Sequence, residues 1–301
     1  KAHNNFHPQH WINSYAAWMD ELRPWCISRQ LWWGHRIPVF TCDDCGHQWA
    51  DKADSPEKCP KCSAKSLTQD PDVLDTWFSS ALWAMSPLGW GNNNKLSELY
   101  DEVQDMKDFY PNSLLITGFD IMFFWVARMM MMGDHFMGEL PFKDIYMHAL
   151  VRDEHGAKMS KSKGNVIDPL DMVEEHSADI IRFTLAYLAV QGRDIKLGAK
   201  NLEQFRNFTN KLYNASNFLQ LNVDTFQDLA DIQVKSPLGI YMQSRLASAV
   251  EEIREALETF KFNEAASILY RFVWNEFCDW GIEYSKADKD SISELGSIFK
   301  E

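Results

Sequence analysis

Hydrophobic residues recur at three- and four-residue steps through the last third of the chain. This spacing predicts amphipathic helices, because one helical turn takes about 3.6 residues. One helix is predicted from about residue 200, a second is capped by Ser236-Pro237, and a third opens at Asn263. The predicted apolar faces are Leu202, Phe205, Phe208, Leu212, Ala215 and Leu219; Leu246, Val250, Ile253, Leu257 and Phe260; and Leu269, Val273, Phe277, Trp280 and Tyr284. An all-α helical bundle is therefore expected over residues 199–301.

The first 198 residues show a different pattern, in which short apolar runs alternate with turns. Residues 113–117 and 146–151 are predicted to be short strands, and Asp168-Pro169 starts a helix as an N-cap followed by proline at the first helical position. The longest apolar run, residues 121–132, contains Arg128 and is shorter than the roughly 20 residues of a membrane span. A buried helix is expected there, within an α/β domain over residues 1–198.

Two aromatic-rich segments precede these strands. Trp11, Tyr15, Trp18 and Leu22 lie at helical spacing, so we expect that stripe to pack in a core. Residues 25–38 are dense in tryptophan and arginine, and their composition fits either a packed hinge or a base-stacking surface. The residues alone favour the hinge.

Length, composition and charge limit the classes of function. The 301 residues allow about two domains, and 46% of them are hydrophobic, which is enough for a core. The chain opens with polar residues, and no export signal is recognised. We therefore expect a cytoplasmic protein that does not bind membranes. A net charge of −13 argues against a sequence-indifferent nucleic-acid binder but leaves room for a shaped RNA met by a local basic patch.

Four of the six cysteines form two Cys-x-x-Cys pairs, within a predicted knuckle over about residues 40–66. These are Cys42, Cys45, Cys59 and Cys62. Each pair can present two thiolates from a tight turn, and two such turns complete a tetrahedral zinc site. Four sulfur ligands leave no open position, so the zinc should be structural. The alternative is four reduced cysteines without a metal.

The run Lys158-Met159-Ser160-Lys161-Ser162-Lys163-Gly164-Asn165 concentrates ammonium groups, hydroxyls and flexible backbone in one strand-to-helix loop, over residues 152–165. Phosphate is the natural ligand of such a loop, and nucleotides usually bind at the carboxyl ends of parallel strands. A solvated surface loop with a chance cluster of lysines is the alternative.

The first five residues of this run resemble the second signature of the class I aminoacyl-tRNA synthetases. The resemblance implies the second half of a Rossmann-type class I catalytic domain, carrying the small zinc knuckle and followed by the helical bundle. It also implies that Lys158 and Lys161 are catalytic and that ATP, accompanied by magnesium in the whole enzyme, is bound there. The residues implied to bind ATP are Lys158, Met159, Ser160, Lys161, Ser162, Asp120 and His148.

Other segments are similar to the valyl members of that family. Residues 25–38 resemble the segment that follows their editing insertion, and residues 274–280 resemble their anticodon-binding domain. The resemblance implies that Trp77, Ile121 and Trp125 form an apolar valine pocket, with Ile121 and Trp125 four residues apart on one helix face. Asp120 would accept hydrogen bonds from the adenylate ribose, although an N-cap role would explain it equally well. The implied partners are valine, ATP and valine tRNA, for an enzyme expected to be a monomer.

Two parts of such enzymes are not recognised in the chain. Nothing matches the first class I signature, His-x-Gly-His, and there is no editing domain. We therefore expect a fragment that does not activate valine unaided and whose helical domain is truncated. Two alternatives stay open, a fragment of an isoleucyl or leucyl enzyme and a non-catalytic, zinc-containing tRNA-binding module.

Overall fold

The computed structural model describes residues 5–91 and 104–301. The chain divides into two compact units, Lys1–Tyr146 and Met147–Glu301. The boundary predicted between residues 198 and 199 lies within the second unit.

The first unit starts with a strand and a helix. Strand β1 is Asn5–His7 and helix α1 is Trp11–Asp20. No residue of α1 is buried, and Trp18 and Leu22 are 51% and 50% exposed. The expectation that this stripe packs in a core is wrong for Trp18 and Leu22, whereas Trp11 and Tyr15 are half-buried. Trp18 lies against Phe123, with 4.4 Å between ring centroids.

Five short strands follow. They are β2 (Ser28–Arg29), β3 (Val39–Cys42), β4 (Gln48–Ala50), β5 (Leu67–Gln69) and β6 (Val73–Leu74). Strand β3 lies between β4 and β5 in an antiparallel sheet, and β2 pairs with β6. This small sheet carries the predicted cysteine knuckle.

The remaining elements of the first unit place a helix after a strand, as the sequence predicted. In chain order they are helix α2 (Thr76–Ser80), a 3₁₀ turn (Ser86–Leu88), helix α3 (Gln104–Phe109), strand β7 (Asn112–Gly118), a 3₁₀ turn (Phe119–Ile121), a π-helical segment (Met122–Val126), helix α4 (Ala127–Met137) and strand β8 (Phe142–His148). Strands β1, β8 and β7 form a sheet in that order, and β1 runs parallel to β8. Phe6 lies opposite Ile145 in this sheet, and both side chains are buried.

The strand predicted over residues 146–151 has different bounds. It begins at Phe142 and ends at His148, and Val151 belongs to a separate strand, β9 (Val151–Arg152). Strand β9 pairs in parallel with β10 (Ile195–Lys196). Asp194 fixes this pairing, because its carboxylate accepts hydrogen bonds from the Leu150 N–H and the Arg152 side chain.

Helices make up most of the second unit. They are α5 (Pro169–His176), α6 (Ala178–Leu188), α7 (Ala199–Asn222), α8 (Pro237–Glu258), α9 (Phe262–Arg271), a π-helical segment (Phe272–Ile282), α10 (Glu283–Ser285) and α11 (Ile292–Lys300); 3₁₀ turns span Lys161–Lys163, Leu229–Asp231 and Lys289–Ser291. The caps predicted at Asp168 and Ser236 are confirmed, since each side chain accepts a backbone N–H. The third predicted helix begins at Phe262, one residue before the predicted start.

The predicted helix faces agree best in α7. Its buried residues are Leu202, Phe205, Phe208, Ala215 and Leu219. Trp280 and Tyr284 were expected on the same face as Leu269 and Val273, but they are 72% and 59% exposed. The π-helical segment explains this difference, because its wider turn breaks the 3.6-residue spacing after Arg271.

One apolar core joins helices of the second unit. Ile180 and Ile181 of α6 pack in the same cluster as Phe205, Phe277 and Leu295. Helix α6, which the sequence assigned to the α/β domain, thus shares its core with the later helices. Among the described residues, no helix has both the length and the hydropathy that a membrane crossing requires.

Candidate functional site

The loop with the basic run connects β9 to α5 in the second unit. It contains the 3₁₀ turn Lys161–Lys163, and the hydroxyl oxygens of Ser160 and Ser162 lie 3.2 Å apart. Gly164 has a φ of +66°, and a Cβ there would meet no atom within 4 Å. This left-handed backbone favours glycine, although there is space for a larger side chain. Gly164 thus lets the chain turn back at Asn165.

Lys158 has an exposed side chain, and within residues 5–91 and 104–301 no carboxylate is found paired with its ammonium. An ammonium of this kind can contact phosphate oxygens without first breaking an ion pair. Met159, the next residue in the chain, is half-buried. The side chain of Lys161 lies outside the described part of the chain.

Two residues that the sequence analysis gave no role organise this loop. The Asn165 amide nitrogen donates to a carboxylate oxygen of Asp153 at 2.9 Å and to the Lys158 carbonyl at 3.3 Å. Its amide oxygen accepts the Ser160 N–H at 2.9 Å. The available signal was the position of Asn165 at the end of the basic run, but its contact with Asp153 depends on the folded loop.

Asp153 holds the start of the loop. Its second carboxylate oxygen accepts the N–H groups of Ala157 at 2.7 Å and His155 at 3.1 Å. The hydrogen bond from Asn165 is the largest cause that lowers the pKa of Asp153, followed by the backbone N–H of Ala157. This carboxyl group is therefore ionised near neutral pH, as the arrangement of donors around it requires.

His148 ends strand β8, just before the loop. Its ring is half-buried, and Nδ1 lies 2.9 Å from the Ala149 carbonyl oxygen. This contact fixes the ring next to the backbone. It is compatible with a contact to adenine and equally with simple packing.

The residues implied to bind valine lie in the first unit. Trp77 belongs to α2 and Trp125 to the π-helical segment, and both rings are half-buried. The Trp125 indole N–H donates to the Ser80 carbonyl at 3.2 Å, and the Trp77 ring lies 5.9 Å from that of Phe124. The structure thus joins the two tryptophans through one turn of α2.

Asp120 and Ile121 end the 3₁₀ turn that follows β7. The Asp120 carboxylate is exposed and caps no backbone N–H within the described ranges, since the turn begins at Gly118 without a side-chain cap. This geometry does not support the N-cap alternative and leaves the carboxylate free to accept a hydroxyl. Ile121 directly precedes the π-helical segment, so the four-residue step to Trp125 does not have α-helical geometry.

Asp75 is the N-cap of α2 and holds the backbone of Trp77. It is 8% exposed, it accepts the Trp77 N–H at 2.9 Å, and its other oxygen forms an ion pair with Arg29 at 2.7 Å. Arg29 also donates to the carbonyl groups of Cys26 and Ser28. The start of α2 is therefore tied to the segment at residues 25–38 by a nearly buried carboxylate.

The packed hinge expected at residues 25–38 is not observed for its central residues. Trp32 and Trp33 are fully or almost fully exposed. Trp33, Trp83, Arg29 and Ser80 are among the residues that line a cavity of about 540 Å³ in the first unit. The exposure of Trp32 and Trp33 does not support the packed hinge for these two residues.

The four cysteines of the predicted knuckle converge. The four sulfur atoms lie within 4.8 Å of one another, with 3.5 Å between Cys42 and Cys62 and 3.8 Å between Cys45 and Cys59. A tetrahedral zinc with Zn–S bonds of about 2.3 Å places its sulfur ligands about 3.8 Å apart. The sulfur atoms that the structure describes therefore fit a zinc ion with little movement.

The protonation of these thiols depends on the groups around each sulfur atom. Burial opposes ionisation of Cys59, but the N–H groups of Cys62 and Lys61 outweigh it and lower the pKa to about 7. At Cys62 the Ala64 N–H favours the thiolate, yet the neighbouring sulfur atoms outweigh it and raise the pKa. A divalent cation would remove this competition, because thiolates are the form that binds zinc.

Two family descriptions match the chain. "tRNA synthetases class I (I, L, M and V)" matches residues 1–198, and "Anticodon-binding domain of tRNA ligase" matches residues 240–299. The chain belongs to the class I tRNA synthetases. This agrees with the resemblance of the loop at Lys158 to the second signature of that family.

Curated class I synthetases match the chain over its whole length. It is 63% identical to the valine–tRNA ligase of a Nitratiruptor species, covering all of this chain and 35% of that protein. It is 62% identical to the valine–tRNA ligase of Wolinella succinogenes over 98% of this chain and 33% of that protein. The chain spans about a third of the length of these relatives.

Solved class I synthetases share the fold. One is the LeuRS of Agrobacterium radiobacter K84 in a ternary complex with tRNA and LeuAMS, with a TM-score of 0.72 at 22% identity over 95% of this chain and 40% of that one. Another is the Mycobacterium tuberculosis methionyl-tRNA synthetase in complex with methionyl-adenylate, with a TM-score of 0.70 at 16% identity over 98% of this chain and 53% of that one. The predicted fold class, half of a Rossmann-type catalytic domain followed by helices, is confirmed.

Proposed function

We propose that this chain is the part of a valine–tRNA ligase that carries the second signature loop, the valine-pocket tryptophans and the start of the anticodon-binding helices. The observation that carries the proposal is identity of 50–63% to valine–tRNA ligases along nearly the whole chain. Such a ligase joins valine to the AMP part of ATP as valyl-adenylate, releasing pyrophosphate, and then transfers the valyl group to tRNA, releasing AMP. We expect it to act as a monomer in the cytoplasm.

In the first step, one bond forms and one bond breaks at the α-phosphorus of ATP. A valine carboxylate oxygen attacks that phosphorus, and pyrophosphate leaves. No enzyme nucleophile is required, so catalysis depends on position and on stabilising the charge that grows on the leaving group. Lys158 and Lys161 are proposed to supply that stabilisation, with Met159, Ser160 and Ser162 shaping the loop. Magnesium bound with ATP would add positive charge at the phosphates.

The remaining site residues are proposed to orient the substrates. The Asp120 carboxylate accepts ribose hydroxyls, and His148 contacts adenine. Trp77, Ile121 and Trp125 form the apolar wall against the valine side chain. Such a wall selects by shape and lost contacts, which suits a branched aliphatic group.

Two further parts are proposed to support the enzyme without reacting. Zinc held by Cys42, Cys45, Cys59 and Cys62 would be structural, since four sulfur ligands leave no position for substrate. The helices of the second unit would contact valine tRNA.

A chimera tests the proposal. The chain would replace the matching third of the Nitratiruptor valine–tRNA ligase, and valine-dependent ATP–pyrophosphate exchange and tRNA charging would be measured. We expect both activities to be retained, and Lys158→Ala to lower exchange at least about 100-fold with tRNA affinity kept. Lys200→Ala, an exposed lysine at the start of α7, is the matched control.

Other results would favour other functions. Exchange that depends on isoleucine or leucine would reassign the amino acid. If Lys158→Ala lowered tRNA affinity and left exchange unchanged, the non-catalytic binding module would be supported. The isolated chain is expected to show no exchange, and sequencing of the tRNA that it retains from total tRNA should show enrichment of valine tRNA.

A further inference from the structure

The conformation of the signature loop is set by two side chains outside its five matched positions. The Asn165 amide makes three hydrogen bonds, two of them to the backbone of Lys158 and Ser160. Lys158 is one of the two lysines proposed to stabilise charge on ATP, and Ser160 is proposed to shape the same loop. A rotation of the Asn165 side chain would therefore release the backbone that carries the side chains of Lys158 and Ser160.

Asp153 provides the fixed end of this arrangement. It accepts the Asn165 amide with one oxygen and the N–H groups of Ala157 and His155 with the other. The contact between Asp153 and Asn165 joins residues 12 positions apart and closes the loop at its base. Asp153 also follows β9, whose pairing with β10 anchors it to a sheet.

We propose that Asp153 and Asn165 are positioning residues that hold the signature loop in the arrangement that ATP requires. The inference rests on the proposed function, since it concerns the same loop. Neither side chain needs to contact ATP. Their effect is to fix the backbone between Lys158 and Ser160 before the nucleotide binds.

Preorganisation of this kind has a direct energetic reason. If a loop becomes ordered only when its ligand binds, the entropic cost of ordering weakens the affinity for that ligand. Charge stabilisation of the leaving pyrophosphate also depends steeply on position, so a displacement of about 1 Å can cost about 100-fold in rate. A loop without this clamp is therefore expected to bind ATP more weakly and to react more slowly.

Hydrogen exchange on this chain tests the clamp without any activity. In Asn165→Ala, exchange of the amides between Ala157 and Ser160 should become about tenfold faster, because the Ser160 N–H loses its acceptor and the loop opens more often. Asn210→Ala, an exposed asparagine in α7, is the control and should leave these amides unchanged. Equal exchange in Asn165→Ala and the unmodified chain would overturn the proposal.

Two further variants separate the clamp from a general loss of structure. In Asn165→Asp, two carboxylates face each other where the 2.9 Å hydrogen bond stood. Their repulsion should remove the protection of the loop amides at pH 7, after correction for intrinsic exchange rates. At pH 5, where the two carboxylates share a proton, this protection should be about threefold higher or more. The double variant D153N/N165D again places one amide opposite one carboxylate, and it should recover part of the protection of the loop amides at pH 7. No recovery in either case would contradict a specific contact.

Kinetics in the chimera test the consequence for ATP. Asn165→Ala should raise the KM for ATP about tenfold and lower kcat, with the KM for valine unchanged, and Asn210→Ala should change none of these. Faster exchange with an unchanged KM for ATP would overturn the positioning role. A chimera without valine-dependent activity would instead reject the proposed function, and the hydrogen-exchange results would still decide whether the clamp exists.

Discussion

The guanidinium carbon of Arg128 lies 3.4 Å from the ring centroid of Trp25. Arg128 is 5% exposed, and its Nη1 atom has no hydrogen-bond partner within the described residues. Burial lowers the pKa of its guanidinium group. A buried cation without a paired carboxylate is costly, and the aromatic face of Trp25 offsets part of that cost.

This relationship predicts energetic coupling between the two residues. Trp25→Ala should lower the free energy of unfolding by about 2 kcal/mol, because it removes the ring that faces the cation. In an Arg128→Met background the same change should cost about 1 kcal/mol less. Urea unfolding of the two single variants and the double variant measures this coupling, and simply additive effects would show that the contact does not stabilise the fold.

Zinc content is expected to follow the four cysteines of the knuckle. The purified chain should hold one zinc ion, and Cys59→Ser should lose it because three sulfur ligands do not complete the site. Cys26→Ser is the control, since Cys26 is exposed and outside the cluster. Elemental analysis measures the metal, and equal zinc in both variants would exclude the assigned ligands.

Removing Asp75 should affect both stability and the valine pocket. Asp75→Ala leaves the Arg29 guanidinium without its carboxylate and the Trp77 N–H without its cap, so we expect a loss of about 3 kcal/mol. Asp75→Asn keeps an acceptor for the N–H and should lose about half as much. Asp54→Ala, an exposed position, should stay within about 0.5 kcal/mol.

Denaturant unfolding of these variants measures stability, and the KM for valine in the chimera measures the pocket. A rise in the KM for valine in Asp75→Ala, with the KM for ATP unchanged, is the expected kinetic result. Equal stability of the alanine and asparagine variants would mean that the cap on Trp77 contributes nothing.

The Cys278 thiol predicts that the stability of the fold depends on pH under alkaline conditions. Burial raises the pKa of its thiol from 9.0 to about 11. The folded state thus favours the protonated thiol more than the unfolded chain does, and this contribution to stability is complete below pH 9 and lost as pH rises toward 11. The nearby charge of Lys211 favours the thiolate and already limits this shift, and we expect the contribution to stability to be about 1–2 kcal/mol.

The comparison with Cys278→Ala isolates this contribution from other groups that titrate in the same range. Between pH 9 and pH 11, the variant should lose about 1–2 kcal/mol less stability than the unmodified chain. Cys26→Ala should lose as much as the unmodified chain. Parallel stability curves for all three proteins would show that the Cys278 thiol ionises equally in the folded and unfolded states.

Features governed by local chemistry could be predicted from the sequence. The caps at Asp168 and Ser236 need only a side-chain oxygen two or three residues before a backbone N–H, and both are present. The convergence of the four cysteines follows from two tight turns of fixed spacing. The role of the basic loop could be proposed because its residues are adjacent in the chain.

Features that depend on distant contacts could not be predicted in the same way. Nothing in the spacing of Asp153 and Asn165 indicates that their side chains meet. Trp18 and Trp32 have the composition of core residues, and only the fold shows that each is largely exposed. The strand at β8 was misplaced because Phe142–His148 pairs with β1 on one side and β7 on the other, and the run of apolar residues does not show these partners.

The π-helical segment Met122–Val126 takes up one more residue in its turn than an α-helix would. Deletion of one residue there would restore α-helical spacing and leave α4 facing its present neighbours. If the same residues instead wound into a regular α-helix, everything beyond them would rotate by about 100° relative to β7. The apolar face of α4, with buried Arg128, would then leave its neighbours. The wider turn therefore decides which residues of this helix face α2.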